Sequence, residues 1–332
     1  MTIIMRPKSV QSDLLNRLLR VFVIMGVAGT LGTASLAVDD VDKLNQRIVQ
    51  SGHSLTDPIP GPLRAFAIAS GAKQDIVVDR STIPGSPMDW RWDNAASPDA
   101  KADIGKYDLL VLTERVPLSN TLPYHNSTNA ALTWFDHAYR LGAGGRGAET
   151  LLYASWVDID SGPAAENPFK DPERHIPWRE RLPLEFARWI EIADFVNNNR
   201  PDGSAPMHII PATLVFAAAY DDIVAGNAPG FSDISQLFQD KIHVNDAGAY
   251  LAALVHFAVI YELDPRGLPS DVGLPLAINP DQADWMQSLV WEVVRAYQSK
   301  ERQRETASAP ISATAFQDCI WANLREITSS CS

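Results

Sequence analysis

The sequence predicts an α/β fold with a mostly parallel sheet of about five strands sandwiched between helices, and three observations predict it. Strand-like and helix-like segments alternate through the middle of the chain. One of them, "YDLLVLTE" (Tyr107–Glu114), is a near-continuous apolar run of strand length, the pattern of a strand covered on both faces. Connections between segments are short, and 332 residues that are 46% hydrophobic and 20% charged suffice for one large core.

"RIVQ" (Arg47–Gln50) is a short strand candidate leading into Gly52. "PLRAFAIAS" (Pro62–Ser70) has helical apolar spacing, and "DIVVD" (Asp75–Asp79) is a β-branched run. After the strand Tyr107–Glu114, "STNAALTWFDHAYRL" (Ser127–Leu141) opens on a capping serine and ends at a Gly-rich stop, so it reads as a helix. "TLLYASWV" (Thr150–Val157) is strand again, and Asp158–Leu182, rich in Pro and charge, reads as an inserted loop. The amphipathic helix Leu184–Asn199 precedes the short apolar piece "MHII" (Met207–Ile210). Asp246–Leu263 is a strongly apolar helix with Asp246 as its cap, and Gln282–Arg302 is a further helix. Beyond it the chain is polar and weakly patterned.

Arg6, Lys8, Arg17 and Arg20 make a basic start, and the apolar stretch Val21–Ala37 closes in small residues, with Ser35 and Ala37 placed for cleavage after Ala37. Residues 1–37 are expected to be a signal peptide, or an uncleaved N-terminal anchor, with the mature chain periplasmic or secreted. No later segment reads as transmembrane. Cys319 and Cys331 are the only two cysteines, and in an oxidising compartment they are expected to pair and staple the C-terminal end. The formal net charge is −12, and no Lys/Arg run occurs outside the extreme N-terminus, which disfavours a nucleic-acid partner.

"SGHSLTD" (Ser51–Asp57) sets Ser54 just after the first strand, where the residues of open parallel sheets that do chemistry collect. A serine hydroxyl is a weak nucleophile at neutral pH. It needs a base, a carboxylate to orient that base, and donors for the developing oxyanion. Among the seven histidines, His243 stands out in "FQDKIHVNDAGAY", with Asp240 three residues upstream and a helix starting three residues downstream. Asp-x-x-His in a loop presents carboxylate and imidazole side by side, the carboxylate fixing the tautomer. His53 has no second ligand at a useful spacing, so no metal is expected, and the chemistry calls for no cofactor.

Gly-His-Ser-Leu near the mature N-terminus and Asp-x-Ile-His before a late helix resemble the first and last blocks of the SGNH/GDSL hydrolase superfamily. "IPGSPMDWRW" (Ile83–Trp92) resembles the block whose glycine, here Gly85, donates an oxyanion N–H. "YDLLVLTERVPL" resembles the third-strand block, with Glu114 and Arg115 where glycine and the oxyanion asparagine are usual; His53 stands where aspartate is usual. The resemblance spans roughly Arg47–Tyr261. It implies a flavodoxin-like three-layer α/β/α sandwich over residues 38–302, followed by a C-terminal tail, 303–332. It also implies ester hydrolysis by Ser54 as nucleophile, His243 as general base and acid, and Asp240 as its orienter. The N–H groups of Ser54 and Gly85 are then oxyanion donors. The third donor stays open among Asn126, Asn120 and a protonated Glu114.

Trp90, Trp92 and Trp156 are expected near the rim of the site, where indole faces suit a sugar ring. The function expected is therefore hydrolysis of short acyl esters, such as O-acetyl groups on carbohydrate. Two alternatives are an O-acyltransferase using the same triad and an exported binding protein with a degenerate hydrolase site.

Overall fold

The computed structural model of the chain describes residues 42–309, 311–327 and 331, so the expected export segment, 1–37, lies outside the described residues. Its centre is a five-stranded sheet in the order β2-β1-β3-β4-β5, parallel throughout. The strands are β1 (Ile48–Gly52), β2 (Val78–Thr82), β3 (Leu109–Leu112), β4 (Glu149–Tyr153) and β5 (His208–Ile210). Every residue of β1 and β3 is buried, which matches their central places; β2 and β5 are the edges.

The crossover from β1 to β2 runs through α1 (Pro60–Ala69), and those from β3 to β4 and from β4 to β5 through α4 (Ser127–Gly145) and α5 (Trp178–Asn199). Between them lie the short helices α2 (Met88–Asp93) and α3 (Leu118–Thr121). Because parallel crossovers are right-handed, α1 covers one face of the sheet while α4 and α5 cover the other. The chain goes on through α6 (Ala212–Ala225), α7 (Asp246–Ile260), α8 (Pro280–Thr306) and α9 (Ala313–Ala322). Helix α7 packs beside α1, where Phe66 meets Tyr250 and Phe257 edge-on at 5.3 and 6.0 Å. The result is the three-layer α/β/α sandwich. Among the described residues no helix is long and apolar enough to cross a membrane.

Several elements differ from the sequence expectation, each for a physical reason. Strand β2 lies three residues further on than the β-branched run Asp75–Asp79, because the edge is set by pairing Ile48 with Val78 rather than by apolar content. Helix α6 was not expected: its "ATLVFAAAY" is buried on nearly all sides, so no amphipathic period marks it. Helix α5 begins at Trp178, six residues before Leu184, and runs through Pro183. The segment expected to be an unpatterned tail carries α9, which buries Phe316 and Ile320. A disulfide between Cys319 and Cys331 closes this end, and the fully buried Lys300 side chain donates to the carbonyls of Asn323 and Glu326 beneath it.

The long connection between β4 and α5 is tied down by ion pairs. Arg181, 1% exposed, pairs with Asp171, and Asp171 accepts from the Ser119 hydroxyl of α3 at 2.7 Å. Glu185 of α5, fully buried, accepts the Leu118 N–H at 2.7 Å and so seats α3. Burial pushes the Glu185 carboxyl up from its ordinary 4.5 to about 7, against the pull of the Leu118 N–H, Arg181 and Arg188. The folded state therefore keeps the proton that the unfolded state gives up, and the stability this contributes at low pH is lost as pH rises from 4.5 through 7. Relative to Glu185→Gln, whose amide mimics the protonated acid, wild-type protein should lose up to about 3 kcal/mol between pH 5 and pH 8 in urea unfolding. A difference that does not change with pH would contradict this assignment.

Candidate active site

The order of the sheet reverses between β1 and β3, so a crevice opens where their C-terminal ends part, the place where open α/β sheets hold their ligands. The chain leaves β1 at Gly52 and turns at once, with the Thr56 N–H donating to the His53 carbonyl at 2.8 Å. Gly52 allows that turn. A Cβ there would sit 2.1 Å from Thr56 Oγ1 and 3.1 Å from Thr113 Cγ2, so the turn can press against β3 only with glycine at this place.

His53 is 3% exposed and points inward. Its Nε2–H donates to the Glu114 carbonyl at the end of β3 (3.0 Å), while Nδ1 faces the Leu55 N–H at 3.4 Å. Burial, then the nearby charge of Arg91, pull its pKa down to about 3, despite the hydrogen bond to Glu114. His53 is thus a neutral strut between the β1 turn and β3. The turn lifts the neighbouring Ser54 toward the crevice.

Ser54 Oγ lies 2.9 Å from His243 Nε2, and His243 Nδ1 lies 2.7 Å from Asp240 Oδ2. With Nδ1–H donating to the carboxylate, Nε2 carries the lone pair that faces the serine hydroxyl. Asp240 and His243 share one tight loop. Asp240 Oδ1 accepts the N–H groups of Ile242 (2.8 Å) and His243 (2.7 Å), and Gln239 N–H donates to the His243 carbonyl at 2.9 Å. Partial burial works to raise the Asp240 pKa, but the two N–H groups and the imidazole outweigh it and hold the carboxyl at about 2. Just downstream, Asn245 rather than Asp246 caps α7, its Oδ1 accepting from Ala247 and Gly248.

Gly85, in the turn after β2, has φ of +63°, a conformation that favours glycine, and open space where a Cβ would stand. Among the described residues neither its N–H nor that of Ser54 is engaged in a hydrogen bond, and both are free to act as donors. The three side chains among which the third donor was left open stand in different settings. Glu114 is fully buried; its Oε1 accepts the N–H groups of Met88 (2.8 Å) and Arg115 (2.6 Å), clamping α2 to β3, while its Oε2 has no hydrogen-bond partner among the described residues. Burial raises its pKa, with the charge of Arg91 opposing. Asn126 is exposed, its Oδ1 accepting from Asn129 at 2.6 Å; Asn120 donates to the Phe169 carbonyl at 3.0 Å.

A cleft of about 300 Å³ is lined by Gly85, by Arg115 just past β3 and by Lys241 of the histidine loop; Ser54, Asp240 and His243 are not among its lining residues. None of the three tryptophans lines it. Trp156, expected at the rim, is fully buried, because β4 ends at Tyr153 and the chain then turns into the core. There Trp156 stacks on Phe216 at 4.1 Å and donates from Nε1 to the Ile242 carbonyl at 2.8 Å, so it props the histidine loop from beneath. Trp92 packs edge-on against Trp134 (5.1 Å) and His137 (5.2 Å) toward α4, and Trp90, 55% exposed, stands outside the cleft.

Two cations here were not read as site residues. Arg91, 4% exposed, ties the strand ends together: it donates to the carbonyls of Ser86 (2.6 Å) and Thr113 and faces Ser51 Oγ at 3.3 Å. Nothing in "MDWRWD" marks that arginine as inward. Arg115 had a signal, a charged residue ending an apolar strand where the resemblance expects asparagine, and its half-buried side chain lines the cleft.

No family model and no curated protein matches the sequence. Solved structures do resemble it. A DUF4886 family protein from Bacteroides uniformis aligns over 75% of this chain and 94% of its own, with a TM-score of 0.56 at 15% identity. An acetyl xylan esterase aligns over 64% of this chain and 98% of its own (TM-score 0.43, 15% identity). A Bacillus subtilis protein aligns over 64% and 55%, with a TM-score of 0.40 at 13% identity. At such identities the likeness is one of fold: the α/β/α sandwich is shared with the Bacteroides protein.

Proposed function

We propose that this protein is a carboxylic ester hydrolase of short acyl groups, with Ser54 as nucleophile, His243 as general base and acid, and Asp240 as the group that orients and stabilises the imidazole. The observation that carries the reading is the unbroken relay from Ser54 Oγ through His243 to Asp240 at the sheet's reversal point. Attack by Ser54 Oγ on the ester carbonyl carbon passes the hydroxyl proton to His243 Nε2. The carbonyl oxygen takes up the negative charge, facing the N–H groups of Ser54 and Gly85. Collapse expels the alcohol, which leaves with the proton from His243. Water then attacks the acyl-enzyme, gives its proton to His243, and the carboxylic acid departs as Ser54 recovers its hydrogen.

The cleft mixes the apolar Val116, Pro117 and Phe169 with Arg115, Arg174 and Lys241, and the insertion that walls it is rich in Pro and charge, which supports short acyl groups over a long aliphatic chain. The disulfide at the C-terminal end suits the oxidising compartment to which the expected export signal leads. The carbohydrate reading rested on the three tryptophans and has no support from their positions.

With p-nitrophenyl esters, Ser54→Ala and His243→Ala should each lower kcat by about 10⁴-fold or more, and Asp240→Asn by less, in proteins whose circular dichroism is unchanged. Acetyl esters should exceed octanoyl esters in kcat/KM. Turnover near wild type in folded Ser54→Ala would overturn the assignment.

A further inference from the structure

The cleft holds four cations, and three of them are spent on neighbours. Arg181 is paired with Asp171; Arg174 lies 3.1 Å from Asp158 and 2.5 Å from Asp160; Lys241 lies 3.1 Å from Asp158. Arg115 is the exception among the described residues. Its Nε faces the Thr121 hydroxyl at 3.4 Å, its two terminal nitrogens have no partner, and no carboxylate lies within ion-pair distance. Glu166, the remaining carboxylate of the lining, is exposed at the rim, and its backbone carbonyl rather than its side chain takes the Arg174 Nε–H at 2.9 Å.

A half-buried guanidinium with two open donors in a cleft is a receptor for a planar anion, because its fork matches a carboxylate or phosphate oxygen pair. Arg115 follows Glu114, whose carbonyl holds His53, so its backbone leaves β3 beside the β1 turn that carries Ser54. Its charge reaches the site, being among the causes that lower the His53 pKa. The contact with Thr121 ties it to the cleft wall built by α3.

We infer that Arg115 is a specificity-determining residue that selects esters bearing an anionic group, a carboxylate or a phosphate, on the part of the substrate lying in the cleft. The inference rests on the esterase reading for its chemistry, and on the cleft's unpaired cation for its selectivity. In a chain of net charge −12, an anionic substrate is repelled at long range, so a dedicated local cation is what admits it.

A matched pair of probes tests this: 4-acetoxybenzoate and its neutral methyl ester, which release acetate by the same step. The methyl ester has the better leaving group, so intrinsic reactivity favours the neutral member. Wild-type protein should nevertheless show at least tenfold higher kcat/KM for the anion, and Arg115→Gln should reduce the anion-to-neutral ratio by about tenfold or more, mainly through KM for the anion. Arg115→Lys should keep part of the preference, since it retains the charge without the fork. A wild-type preference for the methyl ester, or a ratio unchanged in Arg115→Gln, would overturn the inference. So would an equal fall in kcat for both esters, which would make Arg115 an oxyanion donor instead. Calorimetric binding of the two compounds to Ser54→Ala protein reads the same ratio without turnover. Absence of ester hydrolysis in wild type would thus remove the catalytic reading while leaving the binding ratio to decide the role of Arg115.

Discussion

A hydrogen bond of 2.9 Å between Ser54 and His243 joins two points 189 residues apart, and much of the architecture around it serves to hold both ends still. At one end is a glycine that lets the chain turn hard against β3, with neutral His53 pinned to the Glu114 carbonyl behind it. At the other is a loop closed on itself by Asp240 and propped by Trp156. Arg91 laces the strand ends between them. Apart from Asp240, which bonds the imidazole directly, these supports act from behind, each fixing a coordinate of the serine or the imidazole. An error of about 1 Å in such a pair is enough to cost a large part of the rate.

The same supports explain which parts of the site were legible in the sequence. Ser54, Asp240 and His243 were legible because their signals are local: a serine behind a glycine after a strand, and a carboxylate and imidazole three residues apart. The sheet was legible for its central strands, whose apolar runs reflect burial on both faces. The edge strand β2 was displaced in the reading because "VDRST", half exposed, has no such run. Helix α6 escaped for the opposite reason, being apolar on every side. Trp156 shows a further limit. Position at a strand's end does not say whether the next residues turn toward solvent or into the core, and here they turn inward.

The pairing of charges in the cleft was hidden for a related reason. Whether a charged residue is spent on a neighbour depends on contacts made across the fold, as between Arg181 and Asp171. The insertion between β4 and α5 reads as a charged loop, but its acidic residues neutralise two arginines and the lysine of the cleft lining and leave Arg115 as the lining's one cation without an ion pair among the described residues. The backbone N–H groups of Ser54 and Gly85 are without a hydrogen-bond partner among the described residues.

The central claim is that Ser54 is an activated nucleophile and not simply a turn residue. Reaction of the native protein with a fluorophosphonate, followed by peptide mapping, tests it directly, because the reagent phosphonylates, with loss of fluoride, serines whose hydroxyl is activated by a base. The account predicts a single stoichiometric adduct on Ser54 that is lost on prior unfolding and in His243→Ala. An adduct on another serine, or no labelling of the folded chain, would contradict it.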